Sequence, residues 1–233
     1  MASRNRKLRV LCLHGFRTNT AVMFHQVRGF RLAFGESEGL AEFSYLEGPF
    51  VATGPTEDAI QEKFGSTAPF YEWFVVQTEH KSNGTERTRY VGWEHSLTYA
   101  MKYVDSHGPF DIVLGFSQGG MIATLLTAHY QASGKPAPFK AVVLVGVVSD
   151  PHEGLPTELG SWQEGLKMPA MVVLGETDPF FETGKNILRV YEKPSRRFFL
   201  HSEGHKFPSY SRYTALYDEV AHTVRRICQT QTE

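Results

Sequence analysis

Three stretches of the chain are apolar at successive positions rather than alternate ones: VLCL at 10–13, VVLVGVV at 142–148 and MVVL at 171–174. Such runs mark strands buried on both faces of a parallel sheet. With their flanking residues they predict strands over 8–13, 43–47, 111–116, 140–147, 170–174 and 197–201. Between them the apolar positions recur at helical spacing, predicting helices over 20–34, 94–107, 118–133, 183–191 and 211–228. The last carries Tyr213, Leu216, Tyr217, Val220, Val224 and Ile227 on one stripe. Arg225 and Arg226 near its end suit the helix dipole. Strands alternating with helices imply a doubly wound, mostly parallel α/β sheet with helices on both faces and right-handed crossovers. Ligands bind such sheets at the carboxyl ends of the strands.

Two segments break this rhythm. Residues 48–93 hold Pro49, Pro55 and Pro69 among many aromatics, including Phe64, Phe70, Tyr71, Trp73, Phe74, Tyr90 and Trp93. Residues 149–169 hold Pro151, Pro156, Pro169 and Trp162. Both begin where a strand ends, so both are expected to overhang the ligand-binding edge. Excursions of this length are functional or disordered, and aromatic content argues against disorder. The 233 residues therefore read as a single domain over 1–233, with a cap-like aromatic excursion at about 48–93.

Composition narrows the function class. With 41% hydrophobic and 21% charged residues the chain is an ordinary globular one. A formal net charge of -1 gives no basic surface for nucleic acid or an anionic membrane. No apolar run approaches the roughly 18 residues of a membrane span. The amino-terminal run 8–13 is too short and wrongly flanked for a signal peptide. Two cysteines, Cys12 and Cys228, fit a reducing, cytoplasmic compartment rather than a disulfide framework. In that setting Asn83-Gly84-Thr85 reads as an Asn-Gly turn rather than a glycosylation site.

The chemistry centres on DIVLGFSQGG at 111–120. Gly115-Phe116-Ser117-Gln118-Gly119 matches G-x-S-x-G, with a strand before it and a helix after it. A nucleophile elbow needs this context. The serine is lifted off the sheet in a strained turn, and flanking side chains would clash with strand and helix. The alternatives are a phosphate loop or a plain turn, but G-x-G-x-x-G and a Walker lysine are both missing. The turn aims the Gln118 backbone amide at the site, where the helix start favours negative charge. On this reading the Gln118 side chain is the replaceable part of the motif.

A serine hydroxyl needs a base, and the base an orienting acid, in the chain order Ser, Asp or Glu, His. His205 in the loop 202–208 has the freedom to reach Ser117. His201 ends a strand and His222 falls on the terminal helix surface. Asp150 and Asp178 both follow strands. Asp178 is favoured because its strand immediately precedes the histidine strand and Pro179 fixes the backbone after it. The bland reading of either is an Asx turn or helix cap. The second oxyanion amide is expected from Phe16, in the loop His14-Gly15-Phe16-Arg17 after the first strand. His14 reads as structural, and Arg17 as either an anion contact or a surface ion pair. Arg17, Tyr71, Trp73, Phe74 and Trp93 are the candidates for substrate contact. No His/Cys/Asp/Glu cluster has metal spacing, so neither metal nor other cofactor is expected.

HGFRTN at 14–19, FYEWF at 70–74, YVGWEHSL at 90–97, GFSQGG, GETD and SEGHKFP together resemble the fungal-type serine hydrolase family, over nearly the whole chain. Acyl-protein thioesterases share GFSQGG but carry a different oxyanion loop and lack the 70–97 block. The resemblance implies an α/β-hydrolase core and a triad of Ser117, Asp178 and His205. It also implies hydrolysis of small-molecule carboxylic esters or thioesters, often with medium or long acyl chains. Phe74 departs from the pattern, since relatives often carry a second Trp there, which bears on pocket shape. The contrasting class is a catalytically silent hydrolase-fold binding protein, which typically loses a triad member or the elbow glycines.

Overall fold

The computed structural model describes residues 6–80, 86–147 and 165–230. The chain runs β1 (Leu8–Leu13), α1 (Thr20–Gln26), α2 (Arg28–Ala33), β2 (Ala41–Leu46), β3 (Phe50–Val51), α3 (Asp58–Phe64), β4 (Tyr71–Glu72), β5 (Val75–His80), β6 (Glu86–Val91) and α4 (Trp93–His107). It continues through β7 (Ile112–Phe116), α5 (Gln118–Ser133), β8 (Ala141–Val145), β9 (Ala170–Gly175), α6 (Phe181–Lys185), α7 (Ile187–Val190), β10 (Arg196–His201) and α8 (Thr214–Thr230). Six strands form one sheet in the order β10-β9-β8-β7-β1-β2, every neighbouring pair parallel.

Successive strand residues point to opposite faces, and both faces are covered. Leu11, Leu13, Val113, Leu144 and Val172 pack toward α4, α5 and α7. Val10, Cys12, Leu114, Val143 and Val173 pack toward α1, α2 and α8. That two-sided burial explains the unbroken apolar runs. It contributes about 1.5–3 kcal/mol for each fully buried aliphatic side chain. On the second face the Phe30 and Tyr217 rings meet edge-on, 4.8 Å between centroids. Gly29 permits the approach, because a Cβ there would lie 2.4 Å from the Tyr217 ring.

The six main-sheet strands fall within two residues of the expected bounds. The strand expected to reach 147 ends at Val145, because Gly146 turns the chain at φ +53. The helix expected over 20–34 divides at Val27, where ψ is 8°. The stripe Met23, Val27, Phe30, Phe34 crosses that break, so its periodicity hides it. The helix expected over 183–191 likewise divides at Asn186. The last helix starts at Thr214 rather than 211, since Ser209 to Tyr213 form a turn.

The 48–93 excursion follows β2 and has its own structure. Strands β3 and β4 pair over two residues each, α3 lies between them, and β5 and β6 form an antiparallel hairpin. The expected Asn-Gly turn at 83–85 lies outside the described residues. So do Asp150, Pro151, Pro156 and Trp162. Among the described residues no helix is long and apolar enough to cross a membrane.

Candidate active site

Ser117 sits at the tip of β7 with φ 50 and ψ -116, a backbone region that costs a non-glycine residue about 1–3 kcal/mol. Its neighbours allow nothing larger than hydrogen. A Cβ on Gly115 would lie 2.4 Å from the Gly119 carbonyl oxygen, and one on Gly119 only 2.2 Å from that of Leu13. The turn therefore needs both glycines. The Ser117 hydroxyl makes no hydrogen bond to any of the described residues, and it faces a cavity of about 730 Å³.

His205 lines the same cavity. Its Nδ1 lies 2.7 Å from Asp178 Oδ2, on a carboxylate almost wholly buried. Asp178 Oδ1 accepts from the Phe180 amide at 2.8 Å, which leaves Oδ2 for the imidazole. The ring is held between Phe116 and Phe180, with centroids at 5.1 and 5.3 Å. The loop carrying it is closed by Glu203, which accepts from the Ser209 amide at 3.1 Å and pairs with Arg212 and Lys206. Burial alone would raise the Glu203 carboxyl. The hydrogen bonds from Ser209 and Lys206 outweigh it and hold the group below the usual value. His201 is buried at the end of β10 and accepts from the Glu203 amide, while His222 is exposed on α8. Burial lowers the His201 pKa.

The loop after β1 supplies the other side. Neither the Phe16 amide nor the Gln118 amide has a hydrogen-bond acceptor among the described residues. His14 is fully buried, and burial lowers its pKa to about 4, so it is neutral near pH 7. Its Nδ1–H donates to the Gly15 carbonyl at 2.8 Å, and its Nε2 accepts from the Gly48 amide at 2.8 Å. Thr18 Oγ1 donates to the same Gly15 oxygen at 2.9 Å. Glu47 Oε1 lies 3.4 Å from His14 Nε2, and burial raises that carboxyl's pKa.

Of the substrate-contact candidates, Arg17 and Phe74 line the cavity, whereas Tyr71, Trp73 and Trp93 do not. Trp73 is wholly buried in the core, and Trp93 packs partly buried against the same cluster at the start of α4. Tyr71 donates its amide to the Thr18 carbonyl at 2.7 Å, tying β4 to the β1 loop. Arg17 is an internal ion pair rather than a free anion contact. Its Nε bonds the buried Glu72 carboxylate at 3.2 Å, and its other nitrogens reach Thr53 and Pro55. The Gln118 side chain is also not a spare part. It accepts from the Trp73 amide at 3.1 Å and donates to the Phe74 carbonyl at 3.0 Å.

The cavity has further linings beyond the residues singled out for substrate contact. Val76 and Tyr90 face each other across the β5–β6 hairpin, and Met121 stands one helical turn beyond Ser117. The Met121 spacing was a usable signal. Phe180, Thr56 and Glu57 also line it, carried on loop segments with no periodicity. Among the described residues no group of three or more His, Cys, Asp or Glu could hold a metal ion.

A parallel sheet with a strained serine after its central strand, and a carboxylate–imidazole pair beyond the two strands toward one edge, defines the α/β-hydrolase class. Solved structures agree on the fold. Esterase PE8 superposes with a TM-score of 0.62 at 17% identity, covering 95% of this chain and 93% of that one. Acyl-protein thioesterase 2 of Zea mays gives 0.59 at 16%, covering 94% and 95%. Within that class the chain belongs to the FSH1 serine hydrolase family, whose model matches residues 2–216. It is 31% identical to human esterase OVCA2 over 214 residues, 88% of this chain and 91% of that protein. It is 30% identical to esterase C25G4.2 of Caenorhabditis elegans over 218 residues, 89% of each. Hydrolase phiM of Talaromyces stipitatus is 26% identical over 215 residues, 86% of this chain and 81% of that one.

Proposed function

We propose that this chain hydrolyses carboxylic esters with an apolar acyl or alkyl chain, through an acyl-enzyme on Ser117. The observation that carries the reading is the 2.7 Å Asp178–His205 bond beside an unpartnered serine in one cavity. Asp178 accepts from Nδ1–H, which leaves Nε2 as the basic nitrogen. As Ser117 Oγ attacks the ester carbonyl, Nε2 takes its proton. Ser117 Oγ and Nε2 must be within hydrogen-bond reach at this step. The carbonyl oxygen gains the negative charge, and the free amides of Phe16 and Gln118 stabilise it. His205 then protonates the leaving alkoxide. Water loses a proton to the same nitrogen as it attacks the acyl-enzyme, and His205 returns that proton to Ser117 Oγ as the acid leaves.

Phe74, Val76, Tyr90 and Met121 support an apolar chain, as ligand clefts are mostly apolar with few polar groups. Thioester cleavage is the second reading. The same triad performs it, and the fold is shared with acyl-protein thioesterase 2 of Zea mays. Ser117→Ala tests the assignment: ester turnover and fluorophosphonate labelling should both vanish, with kcat down about 10⁴-fold or more. Wild-type turnover in that variant would overturn the assignment of Ser117, and a folded wild-type protein that never labels would favour a silent binding protein. Comparing kcat/KM on matched oxygen and sulfur esters of increasing chain length separates esterase from thioesterase.

A further inference from the structure

The two amides assigned to the oxyanion come from segments far apart in sequence, the β1 loop and the start of α5. A hole built from two pieces works only if their separation is fixed, because stabilisation depends on donors already in place. We propose that Trp73 is the positioning residue that fixes it, so that the aromatic excursion is a structural part of the oxyanion hole. The proposal rests on the esterase reading above.

Trp73 is 0% exposed and lines no part of the cavity, yet its three polar groups are all engaged. Its backbone N–H donates to Gln118 Oε1 at 3.1 Å, on the residue whose amide is one oxyanion donor. Its indole Nε1–H donates to the His14 carbonyl at 2.9 Å, two residues before the other donor. Its carbonyl accepts from Ser96 Oγ on α4. One side chain and its backbone thus bond both halves of the hole and anchor them to the core.

The connection reaches the donor amide itself. The Gly15 carbonyl and the Phe16 N–H belong to one planar peptide unit and point in opposite directions. His14 Nδ1–H and Thr18 Oγ1–H both hold that carbonyl, so they set where the Phe16 N–H points. The His14 ring lies against the Trp73 indole, with centroids 5.4 Å apart. On the other side, Gln118 Nε2–H holds the Phe74 carbonyl at 3.0 Å. Residues 73 and 74 therefore serve two ends at once: Trp73 spaces the donors, and Phe74 walls the cavity.

Plain core packing is the competing account, and it predicts lost stability with no change in preference for the transition state. Trp73→Phe in the full chain separates the two, since it keeps an aromatic ring and the backbone N–H but deletes the indole bond to His14. Three quantities are read: ester kinetics, inhibition by a trifluoromethyl ketone that forms a hemiketal oxyanion, and inhibition by the matching ether, which has no carbonyl. The expected result is a kcat about tenfold lower with KM within about twofold, below the 10²–10³ of losing a donor outright. The ketone should weaken by the same factor and the ether should not. If ketone and ether inhibition stay unchanged, or shift together, the positioning role is overturned. Gln118→Met, which removes both side-chain bonds but keeps the amide, should give the same pattern and serves if Trp73→Phe does not fold. A wild-type protein that neither cleaves esters nor binds the ketone would instead refute the esterase reading.

Discussion

Asp178 spends one carboxylate oxygen on the Phe180 amide and the other on His205 Nδ1, so a single side chain fixes both its own turn and the imidazole. Asp178→Asn keeps the shape but offers an N–H where the imidazole needs an acceptor. The expected loss in kcat is on the order of 10³–10⁴ with KM little changed. Asp150→Asn should stay within about twofold of wild type in the same steady-state assay. The reverse ranking would move the acid to Asp150.

Arg17 and Glu72 make a second kind of pair, in which the carboxylate is wholly buried and the guanidinium is partly exposed. Arg17→Leu removes the cation and leaves the charge behind, which costs about 3 kcal/mol. Urea unfolding should show this as a lower midpoint at unchanged slope. Adding Glu72→Gln should recover part of the loss. A change of KM for anionic substrates without any change in midpoint would instead restore Arg17 as an anion contact.

The buried His14 makes stability fall with acid. Its pKa is about 4 folded against 6.5 when exposed, so the unfolded chain binds the proton more readily. The neutral ring's contribution is complete above pH 6.5 and is lost as pH falls from 6.5 toward 4. Its size is about 3 kcal/mol. Glu47, raised by burial, acts in the opposite sense, since its contribution fades as pH rises through its own pKa. The difference between wild type and His14→Gln isolates the histidine. Midpoint denaturant concentrations from pH 7 to pH 4 should converge as pH falls; curves that stay parallel would contradict the assignment.

Val76 lies on the cavity wall but is 46% exposed, so enlarging it narrows the space at little cost to the fold. Val76→Phe should lower kcat/KM several-fold for long-chain esters while sparing acetate and butyrate esters. An equal effect at every chain length would place the acyl chain elsewhere.

The inner strands β1, β7, β8 and β9 were readable in the sequence because burial on both faces leaves no polar alternation to misread. The juxtaposition of Ser117, Asp178 and His205 was readable for a related reason. Each follows a strand end, and Gly115, Gly119 and Pro179 announce the turns they occupy. The excursion was opaque. Trp73 and Phe74 are adjacent aromatics of one buried cluster, yet only Phe74 also reaches the cavity wall. Both sit between β4 and β5, outside either strand, where no strand or helix period applies. Arg17 and Glu72 stand 55 positions apart, and no local signal joins them. The Gln118 side chain was misjudged for the same reason, since its two partners lie 44 and 45 residues away.

The positive φ of Ser117 also bears on how such a protein ages under mutation. Glycine adopts that conformation freely, so Ser117→Gly relaxes the turn at the moment it removes the hydroxyl. Loss of the hydroxyl is then downhill for folding. A substitution of Ser117 by glycine would therefore leave a sturdier fold without its cavity hydroxyl, a trade of stability against the proposed activity.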